Sequence, residues 1–182
     1  MTRFTLLCGL LLFGALLLPA CEGVQKQPGL LDLVIGQPSA DLRVVALDGS
    51  GARAATDDPA RAALAAVIHT QSPDLVAITR LPHEALLALL DDLPAFDAVG
   101  APSIDGESQG VTSAILFRRG RLSPSGVRTF WLSSSPTRPG SRAWGQAEPG
   151  TCTTAIFSVA AGPGAGRSVR VFCFGLDLGS AE

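Results

Sequence analysis

Hydrolytic chemistry at neutral pH needs nucleophiles, proton carriers or metal ligands, and this 182-residue chain holds few of them. It has two histidines, His69 and His83, four cysteines, and one hydroxyl run, Ser133-Ser134-Ser135. A serine nucleophile needs a general base within hydrogen-bond reach. Both histidines fall at the ends of predicted helices, where they read as capped or surface residues, so the serine run is not read as catalytic. No Cys and His spacing suggests a zinc site. Arg118, Arg119 and Arg121 make the one basic cluster, and it falls where a strand leaves a sheet. It reads as a solvated turn rather than a phosphate clamp.

The elements that would position such residues come in two halves. Leu42 to Leu47 is a β-branched, apolar run closed by Asp48-Gly49-Ser50-Gly51, a buried strand ending in a turn. Asp58 offers an N-cap with Pro59 at the first helical position, and Leu64, Val67 and Ile68 recur at helical spacing, with the helix ending near His69. Pro73 to Ile78 is the next strand. Pro82 then opens a second helix bearing Leu86, Leu87, Leu89, Leu90 and Leu93, giving a βαβα opening. After Gly100 the pattern changes to strands over Val111–Arg118, Gly126–Leu132, Cys152–Ala160 and Ser168–Leu176, the last two as a hairpin. The fold class is α/β, of the α+β kind.

Running from the second strand of that second half toward the third, Thr129 to Gly145 reads TFWLSSSPTRPGSRAWG. It resembles a signature of the endonuclease/exonuclease/phosphatase family, roughly F-W-L-S-E-T-P, a short spacer, G-S and W-G. Phe130, Trp131, Leu132, Ser133, Pro136, Gly140, Ser141, Trp144 and Gly145 fall at those places. The resemblance covers roughly residues 42 to 182 and implies a partial four-layer α/β/β/α sandwich, with residues 41–182 as the N-terminal portion of such a domain. It also implies a site at one rim of the two sheets, where family members hold a divalent cation, usually Mg2+, with oxygen ligands and use a histidine for proton transfer or phosphate contact.

Measured against that pattern, the site residues are altered. Leu47-Asp48 stand for Y-N, which leaves Asp48 as a weak candidate metal ligand. Thr79-Arg80 stand for Q-E, so a fixed positive charge takes the place of the principal metal ligand. Gly110-Val111 replace G-E, and Gly150 replaces an arginine. Phe174-Gly175-Leu176-Asp177-Leu178 align with T-H-L-D-H, so Gly175 takes the place of the catalytic histidine and Asp177 alone keeps its polar character. The family's later G-D-F-N and S-D-H blocks have no counterpart within these residues.

The N-terminus resembles a bacterial lipoprotein signal. Residues 4 to 18 are almost wholly apolar after Arg3, and Leu18-Pro19-Ala20-Cys21 resembles a lipobox. The expectation is a signal peptide over 1–20, acylation of Cys21 and a tether over 21–40, with an uncleaved membrane anchor as the alternative. Within the tether, Leu30 to Ile35 could dock as a short strand or helical turn. Either anchor places the protein outside the cytoplasm, on the periplasmic side or cell surface. Cys8 then leaves with the signal, and Cys152 and Cys173 sit diagonally on the hairpin, as two free thiols or, alternatively, a disulfide. Without Arg3 the remainder carries 13 basic against 16 acidic residues, a net of about minus three, which is no nucleic-acid footprint.

The sequence therefore points to a lipid-anchored, non-catalytic remnant or pseudoenzyme of this family, with no cofactor expected and a possible partner chain at an exposed sheet edge. Two alternatives stand beside it. One is a Mg2+-dependent phosphodiesterase or phosphatase completed by another chain. The other is an anion-binding lipoprotein module that uses Arg80.

Overall fold

In the computed structural model, which describes residues 42–54 and 58–175, two sheets face one another. The expected signal peptide, tether, Cys21 and Asp177 lie outside the described residues. Strand β1 (Val44–Asp48) and strand β2 (Leu75–Pro82) run parallel, joined by helix α1 (Pro59–Gln71). Asp58 caps α1 by accepting from the N–H groups of Ala60 and Arg61, and Pro59 takes the first turn. Ser72, in the left-handed region at φ 45°, ends the helix by donating to the Ile68 carbonyl.

Helix α2 (His83–Asp92), strand β3 (Phe96–Val99) and strand β4 (Val111–Arg118) complete the first sheet in the order β1-β2-β4-β3, with β4 antiparallel to both neighbours. The second sheet is an antiparallel meander of β5 (Leu122–Trp131), β6 (Thr151–Val159) and β7 (Ser168–Gly175), in that order.

Strand alternation sends side chains into two cores. Val76, Ile78, Ala114 and Leu116 face the helices, packing with Ile68, Leu86 and Leu89. The alternate residues Leu75, Ile115 and Phe117 face the second sheet and meet Ala155, Phe157, Val159 and Cys173. Phe117 and Phe157 touch across this gap at a ring separation of 5.5 Å, tilted by 48°. An ion pair at 2.9 Å between buried Arg61 and exposed Asp92 links the two helices. Helices on one sheet and a second sheet beneath it make three of the four expected layers among the described residues.

Several expectations need correction. Strand β3 was not predicted, because a four-residue Phe-Asp-Ala-Val run is too short to show a period. Strand β5 starts at Leu122, four residues before the predicted start. Ser123, Pro124 and Ser125 fall before the predicted strand, yet an edge strand tolerates Pro124, and a bulge between Ser125 and Arg128 absorbs Gly126 at φ 58°. Val67 and Leu87, counted in the helical stripes, are exposed. The arginine cluster is not simply solvated. Arg121 pairs with buried Asp74 at 2.8 Å, and Arg118 donates to the Pro73 carbonyl while stacking on Phe96.

Candidate functional site

Asp48 ends β1 and Arg80 lies within β2, on the adjacent parallel strand. The pairing runs Leu47 to Ile78 and Asp48 to Thr79, and then β2 slips register against β4 between Ile78 and Leu81. Arg80 sits in that bulge at φ 55°, a left-handed conformation that costs a non-glycine residue on the order of 1 kcal/mol. The bulge takes Arg80 out of the ladder and its guanidinium to Asp48. Nε donates to Oδ1 at 3.3 Å and Nη2 donates to Oδ2, forming a fork across both carboxylate oxygens. The Ser50 N–H also donates to Oδ1 at 3.1 Å. The guanidinium bond is the main cause that holds the Asp48 carboxyl below its usual range; burial opposes it, and the Ser50 backbone bond adds a smaller lowering effect.

The turn after Asp48 permits this arrangement. The Gly49 N–H donates to the Thr79 carbonyl at 2.8 Å, and a Cβ on Gly49 would lie 2.7 Å from Leu81 Cβ. Only glycine lets the β1 turn lie so close to the bulge.

Strand β7 brings Gly175 to the same rim. A Cβ there would lie 3.5 Å from both Arg80 Cγ and Thr79 Cβ, and 3.2 Å from Ser113 Oγ. Around this point a pocket of about 210 Å³ is lined by Ser50, Arg80, Pro82, Val111, Glu148, Pro149, Gly150 and Gly175. Four positions singled out from sequence, Arg80, Val111, Gly150 and Gly175, thus converge on one cavity. Asp48 joins them through its ion pair. Ser50, Glu148 and Pro149 were not singled out. The Asp48-Gly49-Ser50 turn was the signal available for the first of them, and nothing in the sequence pattern marked the other two.

The residues present do not fit a divalent cation. Such an ion takes several hard oxygen ligands with surplus negative charge. Here Asp48 is engaged at both oxygens by a permanent cation, and Glu148 is the other acidic residue at the pocket. Among the described residues no three His, Cys, Asp or Glu side chains gather as a metal site would require. His69 is exposed on α1, and His83 Nδ1 lies 3.4 Å from Thr112 Oγ1, so neither ring reaches the rim pocket.

The signature loop is structural. Trp131 is 6% exposed, and its indole Nε1 donates to the Ser103 carbonyl at 2.5 Å. The same carbonyl accepts from the Gly140 N–H at 3.2 Å, which docks the loop on the segment around Asp105. There the N–H groups of Glu107, Ser108 and Gln109 donate to the Asp105 carboxylate and hold its pKa far below the usual range. Ser133 Oγ donates to Ser141 Oγ at 2.7 Å, and Ser141 Oγ to the Ser135 carbonyl at 2.9 Å. The serine run braces a turn. Trp144, by contrast, is 71% exposed, so the two signature tryptophans do different work.

Cys152 and Cys173 are both free and buried. The register places Cys152 opposite Phe174 and Cys173 opposite Thr153, one residue out of step, so the thiols point to opposite faces of the sheet. Burial pushes the Cys173 thiol up to about 12.

No family model matches the sequence, and no curated protein matches it either. Among solved structures, a mannosyl-6-phosphatase from Bacteroides thetaiotaomicron superposes with a TM-score of 0.63 and 24% identity, over 72% of this chain and 50% of its own. An endonuclease/exonuclease/phosphatase protein from Bacteroides vulgatus gives a TM-score of 0.65 at 20% identity, over 73% of this chain and 51% of its own. The fold is therefore that of endonuclease/exonuclease/phosphatase proteins. The chain spans about half the length of these proteins.

Proposed function

We propose that this chain is a lipid-anchored, non-hydrolytic member of the endonuclease/exonuclease/phosphatase family, acylated at Cys21 and lying outside the cytoplasm. The observation that carries the non-hydrolytic reading is the Arg80 fork on Asp48. Family hydrolysis relies on a dication to neutralise phosphate and help activate water. A guanidinium supplies charge but no open coordination position, and it does not lower the pKa of a bound water as a metal does. Gly175 adds no proton carrier at the point where β7 meets that pair. These two changes stand whatever else joins the fold, which weighs against a hydrolase completed by another chain. The Asp48 partner equally weighs against an anion module built on Arg80, because the guanidinium is already neutralised.

The purified chain is expected to show no Mg2+- or Mn2+-dependent hydrolysis of nucleic acid, sugar phosphate or phospholipid above a blank. Calorimetric titration with Mn2+ should give no saturable heat. Metal-dependent turnover that disappears on Asp48→Ala would overturn this reading.

A further inference from the structure

The bonds that brace the signature loop leave a second pocket beside them. It has a volume of about 410 Å³, is formed by one continuous segment, residues 133–142, and shares no lining residue with the rim pocket. Its shape is set by bonds within that segment and to Ser103. The Arg138 N–H donates to the Ser135 carbonyl at 3.0 Å and the Ser141 N–H to the Arg138 carbonyl at 3.2 Å, while the Gly140 N–H reaches the Ser103 carbonyl. A Cβ on Gly140, at φ 71°, would lie 2.9 Å from the Ile104 carbonyl oxygen, so only glycine seats the loop there.

What these bonds leave over is an excess of donors. Ser133 and Ser141 give their hydroxyl protons to loop oxygens. Arg142 donates from Nη1 to the Ala147 carbonyl at 2.7 Å, which leaves most of its N–H fork open. Among the described residues the Arg138 guanidinium and the Ser134 hydroxyl have no partner. No carboxylate lines the pocket, and neither arginine takes part in an ion pair among the described residues. Arg80 differs on this point, because Asp48 already neutralises it. Asp105, on the neighbouring segment, is held by the N–H groups of its own turn.

We propose that this pocket binds a tetrahedral oxyanion, a phosphate or sulfate group that is either free or carried as an ester. Guanidinium forks match the oxygens of such groups, and the Ser134 hydroxyl adds a further donor. A planar carboxylate has two oxygens to offer and would engage one fork, whereas two arginines and a hydroxyl suit oxygens that point in several directions. Two guanidinia at one concavity also concentrate positive potential in a chain that is acidic as a whole. A metal cation is repelled by the same charges, and an apolar ligand meets Pro139 as the one apolar side chain of the lining. The volume exceeds what a single ion fills, and the serine oxygens can accept from the hydroxyls of an attached sugar. Binding here needs neither hydrolysis nor the Cys21 anchor.

The experiment is calorimetric titration of the full chain, without added metal and at ionic strength held constant with chloride, using inorganic phosphate, sulfate, glucose phosphate and glucose. Saturable binding is expected with the three oxyanion probes and none with glucose. Arg138→Gln and Arg142→Gln should each weaken it about fivefold. Arg167→Gln removes the same charge from an exposed position outside the pocket and should leave affinity unchanged. Tighter binding of glucose phosphate than of inorganic phosphate would support the site with an esterified sugar as its ligand, and equal affinity would support it with the free ion. Absence of saturable binding by every oxyanion overturns the proposal. So does equal weakening by all three arginine variants, which would reduce the effect to net charge, and so does binding that both pocket variants leave intact, because the ion then sits elsewhere.

Discussion

Arg80 holds two costs in balance. Its left-handed backbone costs on the order of 1 kcal/mol, and its ion pair with Asp48 returns a similar amount at most, since the two side chains are 44% and 50% exposed and such pairs contribute about 0.2–1 kcal/mol. The variants should therefore separate the two effects. Arg80→Ala keeps the strained backbone and loses the pair, and is expected to lower stability by up to about 1 kcal/mol in urea unfolding. Arg80→Gly loses the pair but relieves the strain, and should be close to neutral. The pair also fixes a pH dependence. The folded Asp48 carboxyl titrates below its unfolded value, so the stability it contributes is present above the unfolded pKa and is lost as pH falls through the lowered folded one. Carboxyl chemical shifts followed by NMR should show Asp48 titrating late in acid, and returning toward the ordinary range in Arg80→Ala. An unchanged Asp48 midpoint in that variant would show that the fork is not what holds it.

At the scale of elements, what the sequence made legible divides along physical lines. The α1 cap was readable because Asp58-Pro59 is a local signal, and β4 because its Val111 to Arg118 run is apolar and bounded by turns. The bulge in β2 was not, since nothing in Thr79-Arg80 marks a register slip that depends on pairing with β4. The rim positions could be named through a resemblance, but their convergence needed β7 folded against β2, a contact between residues far apart in the chain. The close approach of Gly49 to Leu81 belongs to this scale too. Gly49→Ala would drive a Cβ to 2.7 Å from Leu81 Cβ and 2.9 Å from its Cα, with backbone on one side unable to yield cheaply. Overpacking of this kind costs about 1–3 kcal/mol. The variant should unfold at lower urea with an unchanged slope, and its Asp48–Arg80 pair should loosen because the turn and bulge move apart. A fully stable Gly49→Ala would mean that the β1 turn can move away from Leu81 at little cost.

For the whole molecule, the question is what holds an acidic domain at a membrane. A net of about minus three outside the first residues disfavours general electrostatic attraction to anionic membranes. Covalent acylation changes that balance, because each buried methylene adds about 0.8 kcal/mol and two or three chains together act as a stable anchor. The Leu18-Pro19-Ala20-Cys21 block behind an apolar segment is the sequence feature that would supply it. Expressed in a bacterium, the chain is expected to incorporate labelled fatty acid, partition into detergent and resist extraction by salt. Cys21→Ser should abolish the labelling, whereas Cys152→Ser and Cys173→Ser should leave it unchanged, since those thiols are buried within the folded domain. Because an uncleaved apolar leader could hold the Cys21→Ser chain at the membrane by itself, the label rather than the partition decides. Equal labelling of wild type and Cys21→Ser would show that Cys21 is not the acylated residue.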